Sequence, residues 1–143
     1  MRMRNGFGLV LGAMLVVGVP GAVLPTIAQD AATQKVSITR AQADRGRAEY
    51  TRNCVDCHGA NLDDGEFGGP PLIGAAFKEK YFGVTADALH GFLSTAMPPD
   101  RPGRLSPQVY ADITAYILSK NGIQPGTAEL PPDINALGLL TVE

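Results

Sequence analysis

The chain has 143 residues and a hydrophobic fraction of 45%, enough for one domain with a small core, a size at which a metal or cofactor often serves as a staple. Its formal charge is −2; without Arg2 and Arg4 of the N-terminal segment, 10 basic residues face 14 acidic ones, a net of −4. No Lys/Arg run or stripe occurs, which excludes a nucleic-acid footprint and favours partners with basic docking patches.

Residues 7–24 run without a charge after Arg2 and Arg4, and Thr26-Ile27-Ala28 follows. A basic start, an apolar stretch and small residues read as a signal peptide over residues 1–28, cut after Ala28. The alternative is an uncleaved membrane anchor: the run just reaches spanning length, but Gly12, Gly18, Pro20 and Gly21 make it a mediocre helix. Either reading puts the domain beyond the cytoplasmic membrane, free in the periplasm or tethered to the outer face of that membrane. Membrane contact belongs only to the second.

Residues 29–38 are small and polar and read as a linker. Thr39 with Gln42 three residues on is a capping box. It opens a predicted helix over 40–53 with Ala43, Gly46 and Tyr50 on one face. Residues 59–83 hold so many glycines and prolines that they read as loop, long enough to suggest a function. Thr85 is the expected cap of a short helix through about Thr95, with Leu89, Phe92 and Leu93 on its apolar side. Residues 98–105 are again loop. Ser106-Pro107 opens a last helix with Val109, Ile113, Tyr116 and Ile117 at helical spacing, stopped by Asn121-Gly122. The domain is therefore expected over 39–124, followed by a tail over 125–143 that wraps the surface or is partly disordered. No strand pattern is convincing, so the fold class is all-α.

Cys54-Val55-Asp56-Cys57-His58 carries the chemistry. C-x-x-C-H is the attachment signature for c-type haem. Two thiols at this spacing near a helix end reach both vinyl groups on one side of the macrocycle, and the next residue, His58, is set beneath the ring. A disulfide between the cysteines would leave the adjacent histidine unexplained. A thioredoxin-like pair would need a βαβ context. A zinc site would have only His58 and His90 to add, and Cys57 and His58 are neighbours that do not easily turn toward one tetrahedral ion.

Haem iron in electron carriers is commonly held by His and Met. Met1, Met3 and Met14 lie in the export segment, so Met97, at a helix end before two prolines, is the candidate second ligand. His90 is its competitor. Asp63, Asp64 and Glu66 read as a solvated acidic loop ahead of calcium binding.

These residues resemble class I cytochromes c. Gly46 and Tyr50 precede Cys54 by eight and four residues, as in that family's N-terminal helix, and Ile113-Thr114-Ala115-Tyr116-Ile117 resembles its C-terminal helix. The resemblance implies that the two helices cross closely, with Tyr116 near Gly46 and Tyr50. Gly69-Pro70-Pro71-Leu72-Ile73-Gly74 looks like the family's G-P-x-L-x-G loop. That likeness implies that the Pro70 carbonyl accepts the imidazole N–H of His58 and that Leu72 covers the haem face. Covering residues 40–124, it implies a small cytochrome c fold, three to five helices with long loops around one covalent haem. Ala96-Met97-Pro98-Pro99, with the residues through Asn121-Gly122, is similar to cytochrome domains and subunits serving quinoprotein (PQQ-dependent) alcohol dehydrogenases.

The expected function is electron transfer on one haem c with His58/Met97 ligation, in a carrier rather than an enzyme. Its partners are a redox donor and acceptor, such as a periplasmic dehydrogenase and a terminal oxidase. Two rivals stand beside it. One is a haem enzyme or ligand-binding protein with an open sixth site. The other is an electron-transfer subunit tethered to a larger dehydrogenase complex, docked through its tail; a tail packed on its own domain is the preferred alternative to that docking.

Overall fold

The computed structural model describes residues 34–143, so the expected signal peptide or membrane anchor over residues 1–28 lies outside the described residues. Eight elements follow in order: β1 (Gln34–Lys35), α1 (Arg40–Asn53), α2 (Val55–His58), α3 (Ala75–Tyr81), α4 (Ala86–Ala96), α5 (Pro107–Lys120), α6 (Ile134–Leu137) and β2 (Leu140–Thr141). Among the described residues no helix is long and apolar enough to cross a membrane.

The expected first helix forms, though its capping box is only half made. The Thr39 hydroxyl accepts the Gln42 N–H at 3.0 Å. The Gln42 side chain does not return to Thr39. Its amide donates to the Leu130 carbonyl at 3.0 Å and its oxygen accepts the Leu130 N–H at 2.8 Å. This fully buried glutamine thus clasps the tail to α1. Its neighbours Ala43, Gly46 and Tyr50 are buried against α5. A Cβ on Gly46 would run into the Asp112 backbone carbonyl, so only glycine permits this crossing. One turn on, the Tyr50 and Tyr116 rings meet at 5.3 Å, tilted by 53°.

The last helix is buried more completely than one apolar stripe predicts. Every residue from Tyr110 to Leu118 is buried. The Ser106 hydroxyl accepts the Val109 N–H and Pro107 sits at the first position, as expected. At the other end, Gly122 takes φ +107° while the Gly122 N–H reaches the Ser119 carbonyl and the Ile123 N–H reaches that of Leu118. This is a Schellman stop, with Ile123 tucked into the core.

Three expectations change. Residues 34–38, read as the end of the linker, belong to the fold: β1 pairs in parallel with β2, Gln34 opposite Leu140, and Val36 and Ile38 are buried. The stretch 59–83 contains α3, whose buried Phe77 and Tyr81 rings meet at 4.9 Å, tilted by 43°, and anchor it to the core. Thr85 stands at the N-cap of α4 but does not cap through its side chain; its hydroxyl donates to the Asp87 carboxylate. The tail packs on its own domain. Leu130, Leu137 and Val142 are buried to within 1%, and the Val142 backbone exchanges two hydrogen bonds with Gly83 and Val84.

Candidate haem-binding site

Residues 54–58 form the hinge between α1 and a single turn of α2. The Cys57 and His58 N–H groups both turn back to the Cys54 carbonyl, at 3.3 and 3.0 Å. That turn sends Cys54, Cys57 and His58 into one cavity. It is braced from α1 by the Tyr50 hydroxyl, which donates to the Gly59 carbonyl at 2.7 Å. The glycine-rich loop braces it from the other side, where the Gly69 N–H donates to the Cys57 carbonyl at 2.8 Å. A Cβ on Gly69 would come within 2.9 Å of His58 Nδ1, so the loop approaches this closely only as glycine.

His58 Nδ1 lies 2.8 Å from the Pro70 carbonyl. A carbonyl can only accept, so in the neutral ring Nδ1 carries the proton and Nε2 keeps its lone pair. This is the arrangement the family resemblance implied, and it orients an imidazole toward a metal. His58 is buried at 7% exposure.

Two adjoining cavities, of about 310 and 250 Å³, share His58, Leu72, Leu93 and Met97 as walls. The larger adds Cys54, Cys57, Phe67 and the turn from Pro98 to Arg101. The smaller adds Pro70, Phe77, Leu89 and Phe92. Together they form a slot with both thiols at one side and a largely apolar floor. The cysteines are not joined to each other. Burial, then the neighbouring Cys57, pushes the Cys54 thiol up to about 12. Among the described residues no three His, Cys, Asp or Glu side chains gather to hold an ion. A tetrahedral zinc site therefore lacks its ligands among the described residues. A macrocycle bonded to both sulfurs, with His58 Nε2 at its iron, fits the donor set.

All six residues predicted from sequence, Cys54, Cys57, His58, Pro70, Leu72 and Met97, border this slot. Met97 is the first residue after α4, its N–H closing the helix on the Leu93 carbonyl at 3.0 Å. His90 does not border the slot. It is 4% exposed and turned toward α5, with its ring edge-on to Tyr110 at 6.3 Å. Neither of its ring nitrogens has a hydrogen-bond partner. Burial holds its pKa below the ordinary value, with the Pro107 carbonyl offering a weak pull upward. Asp64 of the acidic loop turns back on Asn61, accepting from its backbone and side-chain amides at 3.1 and 2.7 Å.

Three contributors had no signal in the sequence. The Asn121 amide donates to the Leu72 carbonyl at 2.8 Å, tying the end of α5 to the loop over the slot. The Tyr110 hydroxyl donates to the Met97 carbonyl at 2.8 Å. Phe67, 71% exposed, stands at the mouth near the thiols. The first two bonds join partners 49 and 13 residues apart, separations at which no periodicity operates.

Comparison with known proteins bears on the family of this chain. Residues 41–117 match the family described as cytochrome c oxidase, cbb3-type, subunit III. The cytochrome c subunit of the cytochrome bc1 complex of Corynebacterium diphtheriae is 32% identical over 118 residues, covering 78% of this chain and 41% of that protein. The chain thus spans about two fifths of the length of such relatives. A cytochrome c-553-like protein of Synechocystis is 31% identical over 88 residues, covering 62% of this chain and 78% of that one. Among solved structures, the sulfane dehydrogenase SoxCD of Paracoccus pantotrophus aligns at a TM-score of 0.51 with 20% identity, over 89% of this chain and 68% of that one, a likeness of fold alone. With C-x-x-C-H at the mouth of an apolar slot and the family match running from α1 to α5, the chain belongs to the cytochrome c family, whose cofactor is haem c.

Proposed function

We propose that this protein is a periplasmic carrier of single electrons, with haem c bonded to Cys54 and Cys57 and its iron held between His58 and Met97. The observation that carries this reading is the sharing of one slot by His58 and Met97, with the His58 ring already oriented by the Pro70 carbonyl. Haem supplies a reversible one-electron couple at iron. The chain's own residues decide how that couple is used. Pro70 fixes the His58 tautomer and strengthens its donation. Met97 would supply the second ligand to the iron, leaving no open site for substrate chemistry. Leu72, Phe77, Leu89 and Leu93 exclude water, which disfavours the added charge of the ferric state and raises the potential.

The mouth beside the two thiols is the natural electron port. Phe67 is exposed there, and the polar rim is largely self-neutralised: Arg101 pairs with Asp100 at 2.8 Å and Arg52 with Glu49 at 2.6 Å. A small apolar port with a balanced rim suits brief encounters between redox proteins. A periplasmic dehydrogenase as donor and a terminal oxidase as acceptor fit this chemistry.

A second reading makes the chain the electron-transfer domain of a larger assembly. It is favoured by the match to part of a protein named as a bc1 complex subunit. Co-purification from membranes with a stable partner supports it; elution as a lone soluble species favours the free carrier.

The experiment is spectroscopic. The purified protein is expected to keep its haem through acid–acetone extraction and to show a weak far-red thioether-to-ferric-iron band that Met97→Ala abolishes. Covalent haem without the band in the native protein would reject Met97 ligation, and extractable haem would reject the attachment.

A further inference from the structure

Met97 is followed by two prolines, Pro98 and Pro99. A proline offers no N–H, so the chain immediately beyond Met97 supplies no donor for the carbonyl that ends α4. Such a terminal carbonyl needs a partner from elsewhere. Here it is the Tyr110 hydroxyl, at 2.8 Å. The Met97 N–H is itself held by the Leu93 carbonyl at 3.0 Å. Both peptide groups flanking the Met97 Cα are therefore pinned, one by its own helix and one by α5.

Tyr110 is a rigid post for this purpose. It is 3% exposed, sits in the first turn of α5 just after the Ser106 cap, and accepts the Thr114 hydroxyl on its own carbonyl at 2.7 Å. Its ring meets the edge of His90 at an interplanar angle of 79°. That contact wedges it between the helix that ends at Met97 and the helix that carries the hydroxyl. With its backbone pinned on both sides, the Met97 side chain has only its own rotamers left, and the residue lines the slot shared with His58.

We infer that Tyr110 is a positioning residue for the sixth iron ligand, holding Met97 against displacement by small ligands. The inference rests on Met97 ligation as proposed above. It gives Tyr110 a role that helix packing alone would not require: keeping the haem closed, and so keeping the protein a carrier rather than a binder of small molecules.

The test uses the haem-loaded ferric protein and imidazole as the competing ligand. Native protein, Tyr110→Phe and Tyr116→Phe are titrated at a temperature where all three remain folded. Tyr116 lies on the same helix but packs on Tyr50, so its variant controls for loss of a tyrosine hydroxyl. Losing one neutral hydrogen bond should let imidazole displace Met97 at about fivefold lower concentration in Tyr110→Phe, with a weakened far-red band and no change in Tyr116→Phe. Equal imidazole affinity in all three would overturn the inference, as would a lower melting temperature in Tyr110→Phe with affinity unchanged. Should the native protein lack the far-red band and Met97→Ala bind imidazole like the native chain, Met97 ligation itself fails. That result is distinct from a failure confined to Tyr110.

Discussion

The crossing of α1 on α5 and the walls of the slot both draw on α5, yet they are built by different physics. At the crossing the chain packs directly on itself: Gly46 lies on the Asp112 backbone and Tyr50 on Tyr116. The slot walls are held mainly by hydrogen bonds that end on backbone carbonyls. Gly69 reaches Cys57, Leu72 reaches Leu62, Asn121 reaches Leu72, and Tyr110 reaches Met97. The wall side chains Cys54, Leu72 and Met97 are only half-buried. One region completes its packing from the chain alone, while the other shapes a space for a group that is not an amino acid. A small domain divided in this way is stapled by its cofactor on the side where its own core is thinnest.

The contrast predicts an order of effects. The largest is Gly46→Ala. Its Cβ would meet backbone rather than a movable side chain, so the helices must separate; a loss of about 3 kcal/mol or more is expected in urea unfolding. A change under about 1 kcal/mol would show the crossing to be plastic. Next is Gln42→Ala, which strands a buried N–H and a buried carbonyl at Leu130. A loss of about 2–4 kcal/mol is expected, with amide exchange accelerating in the tail before the helices.

His90 follows. Its folded pKa lies below the ordinary histidine value of 6.5 because burial opposes the charged ring. The unfolded chain therefore binds more protons in acid, and the contribution of His90 to stability is present above about pH 6.5 and lost as pH falls toward the folded value. In His90→Leu the drop in melting temperature between pH 7 and pH 5 should shrink; an undiminished drop would place the acid sensitivity elsewhere. The smallest stability effect is Leu72→Ala on the slot wall, about 1 kcal/mol in the haem-loaded protein, since that side chain is half-buried. The same change should lower the reduction potential by admitting water. Lost stability with an unchanged potential would make Leu72 ordinary packing.

Much of this was legible because it is local. Cys54, Cys57 and His58 are consecutive enough that one turn of backbone decides where they point. Ser106-Pro107 and Asn121-Gly122 bound α5 by the rules of helix ends, and both boundaries appear in the structure. Short α3 was hidden because the glycines around it outweigh seven residues of helical pattern. The two-residue strands were hidden because β1 and β2 acquire meaning only in each other's company, across more than 100 residues of chain.

Sequence alone pointed to the chemistry of attachment and set the period of the two long helices, both of which depend on neighbours within one or two turns, and it offered Met97 as a candidate ligand by elimination. Tertiary structure decided that Gln42 leaves its capping box to bind the tail, that His90 faces α5 instead of the slot, and that Tyr110 and Asn121 hold the residues lining it. These choices were invisible in sequence because a polar side chain's partner is whichever unsatisfied group the fold brings within hydrogen-bond reach, and that group can come from anywhere along the chain.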